Sequence, residues 1–391
     1  MQRDHQIVIV GGGMVGAALA ARLGHAGVNV GLVERGDAPV KPEGDFDLRI
    51  SSLNARSLAF IKAGGTSIPP ERSHVFRRIE GFSQNGRGHS VFTAEESGLE
   101  NFGCFVENKA LRYALWQRLE RLPGVTRYTR CAPLSTVAGS EARLLELDNG
   151  KTLSAALVVA ADGAHSRLRE MAGIDVSRYD YRQRALITNV ETELASEETS
   201  WQCFTPTGPM ALLPLPGHCA SLIWYDRDGT TRAREMLSDD ALARAIEAAF
   251  PKRLGNILRV TGRASFPIKR QHAKRYIGKR LALIGDAAHV VHPLAGQGLN
   301  IGLHDADTLA EQILARRDAG NAGTLRRFEV KRRLANQAML AATDGFHHLF
   351  TGPRPLQKLG DCGLEMAERL PAARYFMSRQ ANGLSPFTPR R

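Results

Sequence analysis

Residues 6–34 read QIVIVGGGMVGAALAARLGHAGVNVGLVE, and no other stretch constrains the fold so tightly. Gln6 to Val10 is an apolar run rich in β-branched side chains and closed by glycine. That is the pattern of a parallel strand buried on both faces. Gly11, Gly13 and Gly16 follow with G-x-G-x-x-G spacing, and Met14 and Val15 open a helix of small residues. VNVGLVE is then a second strand ending at Glu34, with Arg35 just beyond. Gly11 permits the tight turn, Gly13 lets the backbone approach a pyrophosphate, and Gly16 lets helix and strand pack closely. The helix N-terminus offers free N–H groups and a positive dipole end to phosphates. An acid about 20 residues on can accept hydrogen bonds from ribose hydroxyls. The unit therefore predicts an α/β fold with a dinucleotide at the edge of a parallel sheet. The motif alone does not separate NAD from FAD.

Two later stretches repeat the logic. Leu157 to Ala160 reads as a strand, followed by Asp162-Gly163 and a helix with Ser166 near its start and Arg167 and Arg169 in its first turns. Far along the chain stands LALIGDAAHVVHPLAGQGLN, residues 281–300. Gly285 and Asp286 end an apolar strand there, and Pro293 stiffens a second glycine-rich turn at Gly296 and Gly298. A helix is expected to open at about Leu299–Asn300, its positive end turned toward a bound anion or electron-rich ring. His289 and His292 read as positioning or packing groups, since an acid–base role needs geometry.

Composition narrows the classes. A chain of 391 residues can bury two or three sizeable cores. At 43% hydrophobic and 24% charged residues it reads as a soluble globular protein. No apolar run approaches the roughly 18–20 residues that span a bilayer. MQRDHQIVIV leads straight into a strand without a signal-peptide profile, so a cytoplasmic location is expected. The five cysteines are scattered without CxxC spacing, so neither disulfides nor a metal site is expected. The formal charge is +12. No basic stripe is interleaved with aromatics, so nucleic acid is not the expected partner. Anionic cofactors, an anionic membrane surface or a plain solvated basic surface remain.

Read together, the three glycine-bearing motifs resemble a known set. Gly11-x-Gly13-x-x-Gly16, Asp162-Gly163-x-x-Ser166-x-x-Arg169, and Gly285-Asp286 with Pro293 and Gly296-Gln297-Gly298-x-Asn300 are similar in order, spacing and context to the FAD-dependent aromatic hydroxylases, the group A flavoprotein monooxygenases. Longer stretches, among them DLRISSLNARS, FVENKALRYALWQRLE, YDYRQRALITNVETE and GLEMAERLP, resemble the ubiquinone-biosynthesis hydroxylases over nearly the whole chain. The resemblance implies FAD as cofactor. The first cluster would hold its ADP half, and the last its ribityl chain and isoalloxazine ring. Arg49, in Asp47-Leu48-Arg49, would contact a mobile flavin. Asn108 and Arg112, in NKALRYAL, would face the adenosine and pyrophosphate. Arg49 and Pro293 are the candidates for flavin positioning in catalysis, and no base is assigned. The cofactor-binding set is completed by Gly11, Gly13, Met14, Val15, Gly16, Glu34, Arg35, Asp162, Gly285, Asp286, Gly296, Gly298, Leu299 and Asn300.

The implied fold is α/β, a Rossmann-like FAD-binding domain with an inserted antiparallel β-sheet substrate domain and a C-terminal helical segment. Residues 1–72, 100–178 and 274–345 are assigned to the first, 73–99 and 179–273 to the second, and 346–391 to the third. RALITNVETE, MALLPLP and CASLIWYD alternate as strands, and DALARAIEAAF as an amphipathic helix. Leu212, Leu213, Leu215, Leu222 and Ile223 are candidates for an apolar substrate wall. Phe346, Leu349, Phe350, Leu356 and Leu359 are expected to pack on the FAD-binding domain. The alternative is a basic amphipathic patch on a membrane or partner.

The implied activity is ring hydroxylation of a polyprenyl benzoquinol or phenol in ubiquinone biosynthesis. NADH or NADPH would be a transient donor, since no second G-x-G-x-x-G unit exists for it. O2 would react through a flavin C4a-hydroperoxide, without a metal. Peripheral attachment to the inner membrane, or a place in a quinone-biosynthesis complex, would suit such a substrate. The alternatives are an FAD hydroxylase of a small soluble aromatic acid, a flavin reductase of prenyl chains, and a non-catalytic FAD-binding member of such a complex.

Overall fold

The computed structural model describes residues 3–84, 88–251, 253–293 and 296–383. Its first sheet is built on the strand His5–Val10. Ile7, Val8 and Ile9 in it are wholly buried, as a strand covered on both faces requires. Val30–Glu34 pairs with it on one side and Thr152–Ala160 on the other, both parallel. Val125–Thr129 extends the sheet beyond Val30–Glu34, and Leu281–Leu283 extends it beyond Thr152–Ala160, again in parallel. The chain therefore leaves the central strand toward one side and returns much later on the other. The crevice at the carboxyl ends of such strands is where ligands bind in open α/β sheets. The helices Met14–His25, Asn108–Glu120 and Gln297–Leu314 pack together over this sheet.

A second sheet has the order His289–Val290, Ile257–Ala273, Val176–Thr192, Cys219–Arg227, Met210–Pro214, Thr199–Phe204, Arg78–Ser83, His89–Thr93. It is antiparallel as expected, except that Thr199–Phe204 runs parallel to Arg78–Ser83. Its first strand, His289–Val290, lies directly after the Gly285–Asp286 turn and bonds to Gln271 and His272. The last cofactor motif is thus stitched into the sheet that walls the neighbouring space. A small antiparallel sheet of Ile50–Asn54, Gly103–Glu107 and Ser73–Phe76 stands between the two larger ones in sequence.

Alternation decides which side chains face where. Gln202, Ala211, Ile223 and Ile187 are cross-strand neighbours in one row. The alternate row carries Leu186, Leu212 and Leu222, which pack with Leu242, Ile246 and Phe250 of the helix Asp239–Ala249 and the residue after it. A one-residue slip would exchange the two rows.

Three helices follow, Ala322–Thr351, Arg354–Arg369 and Pro371–Ala381. Phe350 stacks on Phe204 at 4.1 Å, joined by Phe346, Leu349 and Leu364. This part of the tail therefore packs on the second sheet, not on the FAD-binding half as expected. Leu356 and Leu359 differ further, since both are exposed. Among the described residues, no helix is long and apolar enough to cross a membrane.

Candidate cofactor and substrate site

Between the two large sheets lies a cavity of about 580 Å³. Two helix N-termini meet in it. Gly13, Met14 and Val15 contribute the start of one helix, and Gln297, Gly298 and Leu299 the start of the other. Neither helix carries an acid in its first turn, so both positive ends remain available to an anion or electron-rich group. The second helix begins at Gln297, two residues before the expected start. Gly296 caps it with φ +63°, a left-handed conformation that glycine adopts without strain.

The first motif behaves as its spacing predicts. A Cβ on Gly11 would stand 2.2 Å from Ala161 O, and one on Gly16 2.0 Å from Gly11 O, so both are held to glycine by close backbone approach. A Cβ on Gly13 would meet nothing within 4 Å, because that position faces open space. Glu34 accepts hydrogen bonds from Gly12 N at 2.6 Å and Gly36 N at 2.9 Å. It pins the glycine turn while each oxygen keeps a second lone pair for a ribose hydroxyl. Arg112 and Trp116 both donate to Gly12 O, at 3.0 and 2.9 Å. Arg112 thus shapes the turn from behind and does not line the cavity. Arg35 is exposed next to Glu34. Trp116 was missed in the sequence, although it lies four residues beyond Arg112 and eight beyond Asn108 on one helical face.

The remaining motifs converge on the same space. Asn108 lines the cavity, and its Oδ1 is buried with no hydrogen-bond partner among the described residues. Asp162 Oδ1 is likewise buried without a hydrogen-bond partner among the described residues, but Asp162, expected at the cofactor, lies outside the cavity lining, which its neighbours Ala161 and Gly163 join; its Oδ2 accepts from Leu168 N at 3.3 Å. Burial pushes the Asp162 carboxyl above its ordinary range. Ser166 caps the short helix Arg167–Met171, and buried Arg169 donates to Ala287 O at 3.0 Å and Ala164 O at 3.1 Å. Arg169 therefore ties the second motif to the third.

Gly285, Asp286, Pro293, Gly296, Gly298 and Leu299 all line the cavity, as does Arg49. Asp286 is surrounded by protein but open to the cavity. Burial raises its carboxyl above the ordinary range, against the pull of His289 and Arg49. The turn carrying it is held from beneath by Asp305, a fully buried carboxylate that sequence reading missed. Asp305 accepts from Gly285 N at 3.1 Å, His289 Nε2 at 2.5 Å, Arg332 Nε at 2.7 Å and Asn336 Nδ2 at 3.0 Å. Burial pushes its carboxyl up, but His289 and Arg332 more than offset this and hold it well below the usual range. The signal was an acid on an otherwise apolar helix face, in NIGLHDADTL. His289 is a positioning group, as its sequence context suggested.

Asn300 requires a correction. It is wholly buried and lies outside the cavity lining. Its Nδ2 donates to Ser52 O at 3.0 Å, and its Oδ1 accepts from Asn54 N at 3.0 Å and Ser57 Oγ at 2.7 Å. The side chain fastens the helix to the strand Ile50–Asn54 and has no capacity turned toward a ligand.

The far wall is apolar and aromatic. Phe76, Phe102, Phe105, Ile187, Trp201 and Phe266 line it, with Leu213 and Ile223 from the anticipated set. Leu212, Leu215 and Leu222 do not, since alternation turns Leu212 and Leu222 into the core on the other face and Leu215 is wholly buried past the strand end. Tyr225 closes one end, stacked on His292 at 5.7 Å. Burial, reinforced by His347, pushes His292 down to about 3, so it is a neutral packing group at ordinary pH.

Open glycine positions, the orphaned acceptor on Asn108 and two free helix N-termini together fit FAD. They define an FAD-dependent monooxygenase architecture with a ring-sized apolar chamber beside the cofactor loops. Comparison with known proteins agrees. The FAD binding domain family matches residues 4–343. The chain is 38% identical over 387 residues to the 3-demethoxyubiquinol 3-hydroxylase of Escherichia coli, covering 97% of this chain and 98% of that one. It is 34% identical to the ubiquinone hydroxylase UbiL of Rhodospirillum rubrum, over 98% and 91% of the two chains. It is 30% identical to the human ubiquinone biosynthesis monooxygenase COQ6, over 92% and 89%. The crystal structure of p-nitrophenol 4-monooxygenase PnpA from Pseudomonas putida shares the fold, with a TM-score of 0.80 over 97% of this chain and 98% of that one, at 20% identity. The chain belongs to the ubiquinone-biosynthesis hydroxylase family of FAD-dependent monooxygenases.

Proposed function

We propose that this protein hydroxylates the ring of a polyprenyl benzoquinol or phenol intermediate of ubiquinone biosynthesis, taking electrons from NADH or NADPH and consuming O2. The observation that carries the reading is the single cavity in which the FAD-holding loops face an apolar, aromatic wall. We assign residues 1–72, 100–178 and 274–345 to FAD binding, 73–99 and 179–273 to the substrate side, and 346–391 to a C-terminal segment. Bound FAD supplies the activation of O2 and the transfer of one oxygen atom to the ring. The chain's own residues bind, orient and exclude water. Gly13 and the helix beginning at Met14 receive the pyrophosphate, and Glu34 takes ribose hydroxyls. Asp286 accepts from the ribityl chain. The helix beginning at Gln297 places its positive end at the flavin, where reduction adds negative charge. Arg49 and Pro293 border the same region and set the flavin's position.

The substrate wall also favours a neutral ring. Among the described lining residues, Arg49 is the only cation and stands with the cofactor loops. A soluble aromatic acid would bring a carboxylate that the far wall cannot pair, a costly burial. A prenyl chain gains about 0.8 kcal/mol per buried CH₂ on such a surface. The close relationship to the demethoxyubiquinol enzyme makes a methoxylated polyprenyl benzoquinol the favoured substrate. It also makes action at the cytoplasmic face of the inner membrane, alone or in a quinone-biosynthesis assembly, the favoured setting. The test compares a short-chain methoxy-methyl-benzoquinol with a phenolic acid in NAD(P)H-dependent O2 uptake, with the product read by mass spectrometry. Gain of one oxygen on the quinol alone is expected. Hydroxylation of the acid alone would overturn the substrate while leaving the monooxygenase class standing.

A further inference from the structure

The helix Arg354–Arg369 is amphipathic twice over. Its inner face carries Gly360, Asp361, Leu364 and Ala367, all buried. On a separate face Leu356, Leu359 and Met366 recur three and seven residues apart, the spacing of one helical stripe, and Leu370 follows directly after the helix end. All four are exposed, Leu359 at 60% and Met366 at 59%. Phe376 and Met377 of the following helix are exposed as well. Single exposed apolar residues mean little, but six on two consecutive helices form a patch that asks for a partner.

The charges on these helices are sorted by sign. Asp361 is buried. Glu368 turns inward, accepting from Val91 N at 2.8 Å and pairing with Arg374 at 3.3 Å. Arg374 also reaches Glu96 at 3.2 Å. Glu368 thereby fastens the helix to the strand His89–Thr93. Arg354, Lys358 and Arg369 are left exposed, and all are cations. The acids Glu365 and Glu368 of the same helix are partly exposed, Glu368 within its pair with Arg374. An apolar stripe whose fully exposed charges are Arg354, Lys358 and Arg369 complements an anionic lipid surface, where long cationic side chains reach the headgroups. The same helices lead to the cavity, since Asn382, directly after the last one, lines it.

We propose that the helices Arg354–Arg369 and Pro371–Ala381 form the surface by which this protein docks on an anionic bilayer, with Leu356, Leu359, Met366, Leu370, Phe376 and Met377 entering the acyl boundary. Docking there presents the cavity to substrate held in the membrane. This rests on the polyprenyl quinol reading for its purpose but not for its measurement. The experiment is co-sedimentation of the full-length, FAD-loaded protein with phosphatidylethanolamine–phosphatidylglycerol vesicles and with pure phosphatidylcholine vesicles. The wild type is expected on the anionic vesicles and far less on the neutral ones. Leu359→Glu with Met366→Glu is expected to lose about tenfold or more in partitioning. Lys358→Glu with Arg369→Glu should lose a similar amount, only on anionic vesicles. Both variants should keep FAD and turn over a short-chain quinol as the wild type does, which separates docking from folding. Failure of the wild type to bind anionic vesicles, or binding unchanged in both variants, overturns the proposal. So does conversion of a wild-type dimer to monomers by Leu359→Glu with Met366→Glu at unchanged vesicle binding, which would assign the patch to a second copy of the chain. A wild type that binds vesicles but ignores short-chain quinols would count against the substrate reading alone.

Discussion

Removing Asp305 should loosen the turn that carries Asp286 without replacing any residue of the cavity lining. Its carboxylate receives four hydrogen bonds in a site with no solvent exposure, two of them from His289 and Arg332. Asp305→Ala would leave the Arg332 cation buried without its ion pair, a loss of about 3–5 kcal/mol. Against a total stability of about 5–15 kcal/mol for a folded domain, that is a large fraction. Asp305→Asn is the sharper test. The amide can still accept from Arg332 and Asn336 on one side, but its NH₂ then faces Gly285 N, which is itself a donor. A buried donor left unpaired costs about 1–3 kcal/mol. If that cost falls on the turn, FAD affinity should drop by roughly 5- to 150-fold. Urea unfolding reads the first quantity, and titration of apoprotein with FAD, followed by flavin fluorescence, reads the second. Asp307→Asn is the control. Asp307 pairs with Arg56 at a partly solvated site, where such a pair is worth under about 1 kcal/mol. The reasoning fails if Asp305→Asn binds FAD as the wild type does, or if Asp305→Ala unfolds at the wild-type urea concentration.

Asp286→Ala should weaken FAD binding more than Glu34→Gln, because Asp286 opens into the cavity and Ala removes a charge-assisted acceptor worth about 1.5–3 kcal/mol, whereas Gln keeps an acceptor oxygen at position 34; reversed FAD affinities would contradict the assignment. Ala211→Trp should fill space between Gln202 and Ile223, raising KM for the quinol severalfold while leaving FAD content unchanged, as steady-state kinetics and flavin absorbance would show. Stability should begin to fall in mild acid through the buried histidines. Burial holds His292 and His304 down to about 3 and His347 to about 4, whereas the unfolded chain takes up these protons near pH 6.5. The full contribution is present above about pH 6.5 and is lost as pH falls toward 4 and below, at up to about 1.4 kcal/mol per pH unit for each group. Urea midpoints at neutral and mildly acid pH should show the decline, and His347→Gln should make it shallower.

The parallel core and its ligand edge were legible because glycine spacing and buried strands are local patterns. Gly11, Gly13, Gly16, Glu34 and the Gly285–Asp286 turn sit where those patterns put them. What escaped was set by partners remote in sequence. Asn300 falls inside a cofactor motif by spacing, yet its amide is committed to Ser52, Asn54 and Ser57 across some 250 positions of chain. Leu212 and Leu213 are indistinguishable as apolar strand residues. Only the register against Cys219–Arg227 and Thr199–Phe204 decides which one lines the cavity. Leu356 and Leu359 resembled core positions because amphipathicity reports a face, not what covers it.

The central strand His5–Val10 has consequences for the order in which this protein is made. Its neighbour Thr152–Ala160 is synthesised about 150 residues later, and the Leu281–Leu283 strand later still. Synthesis at about 5–20 residues per second leaves the early strand without that edge for many seconds. The cofactor chamber cannot close until the ribosome has released residues from both ends of the chain's first three hundred. Capture of flavin in that chamber therefore waits until the chain has been made at least through Leu299.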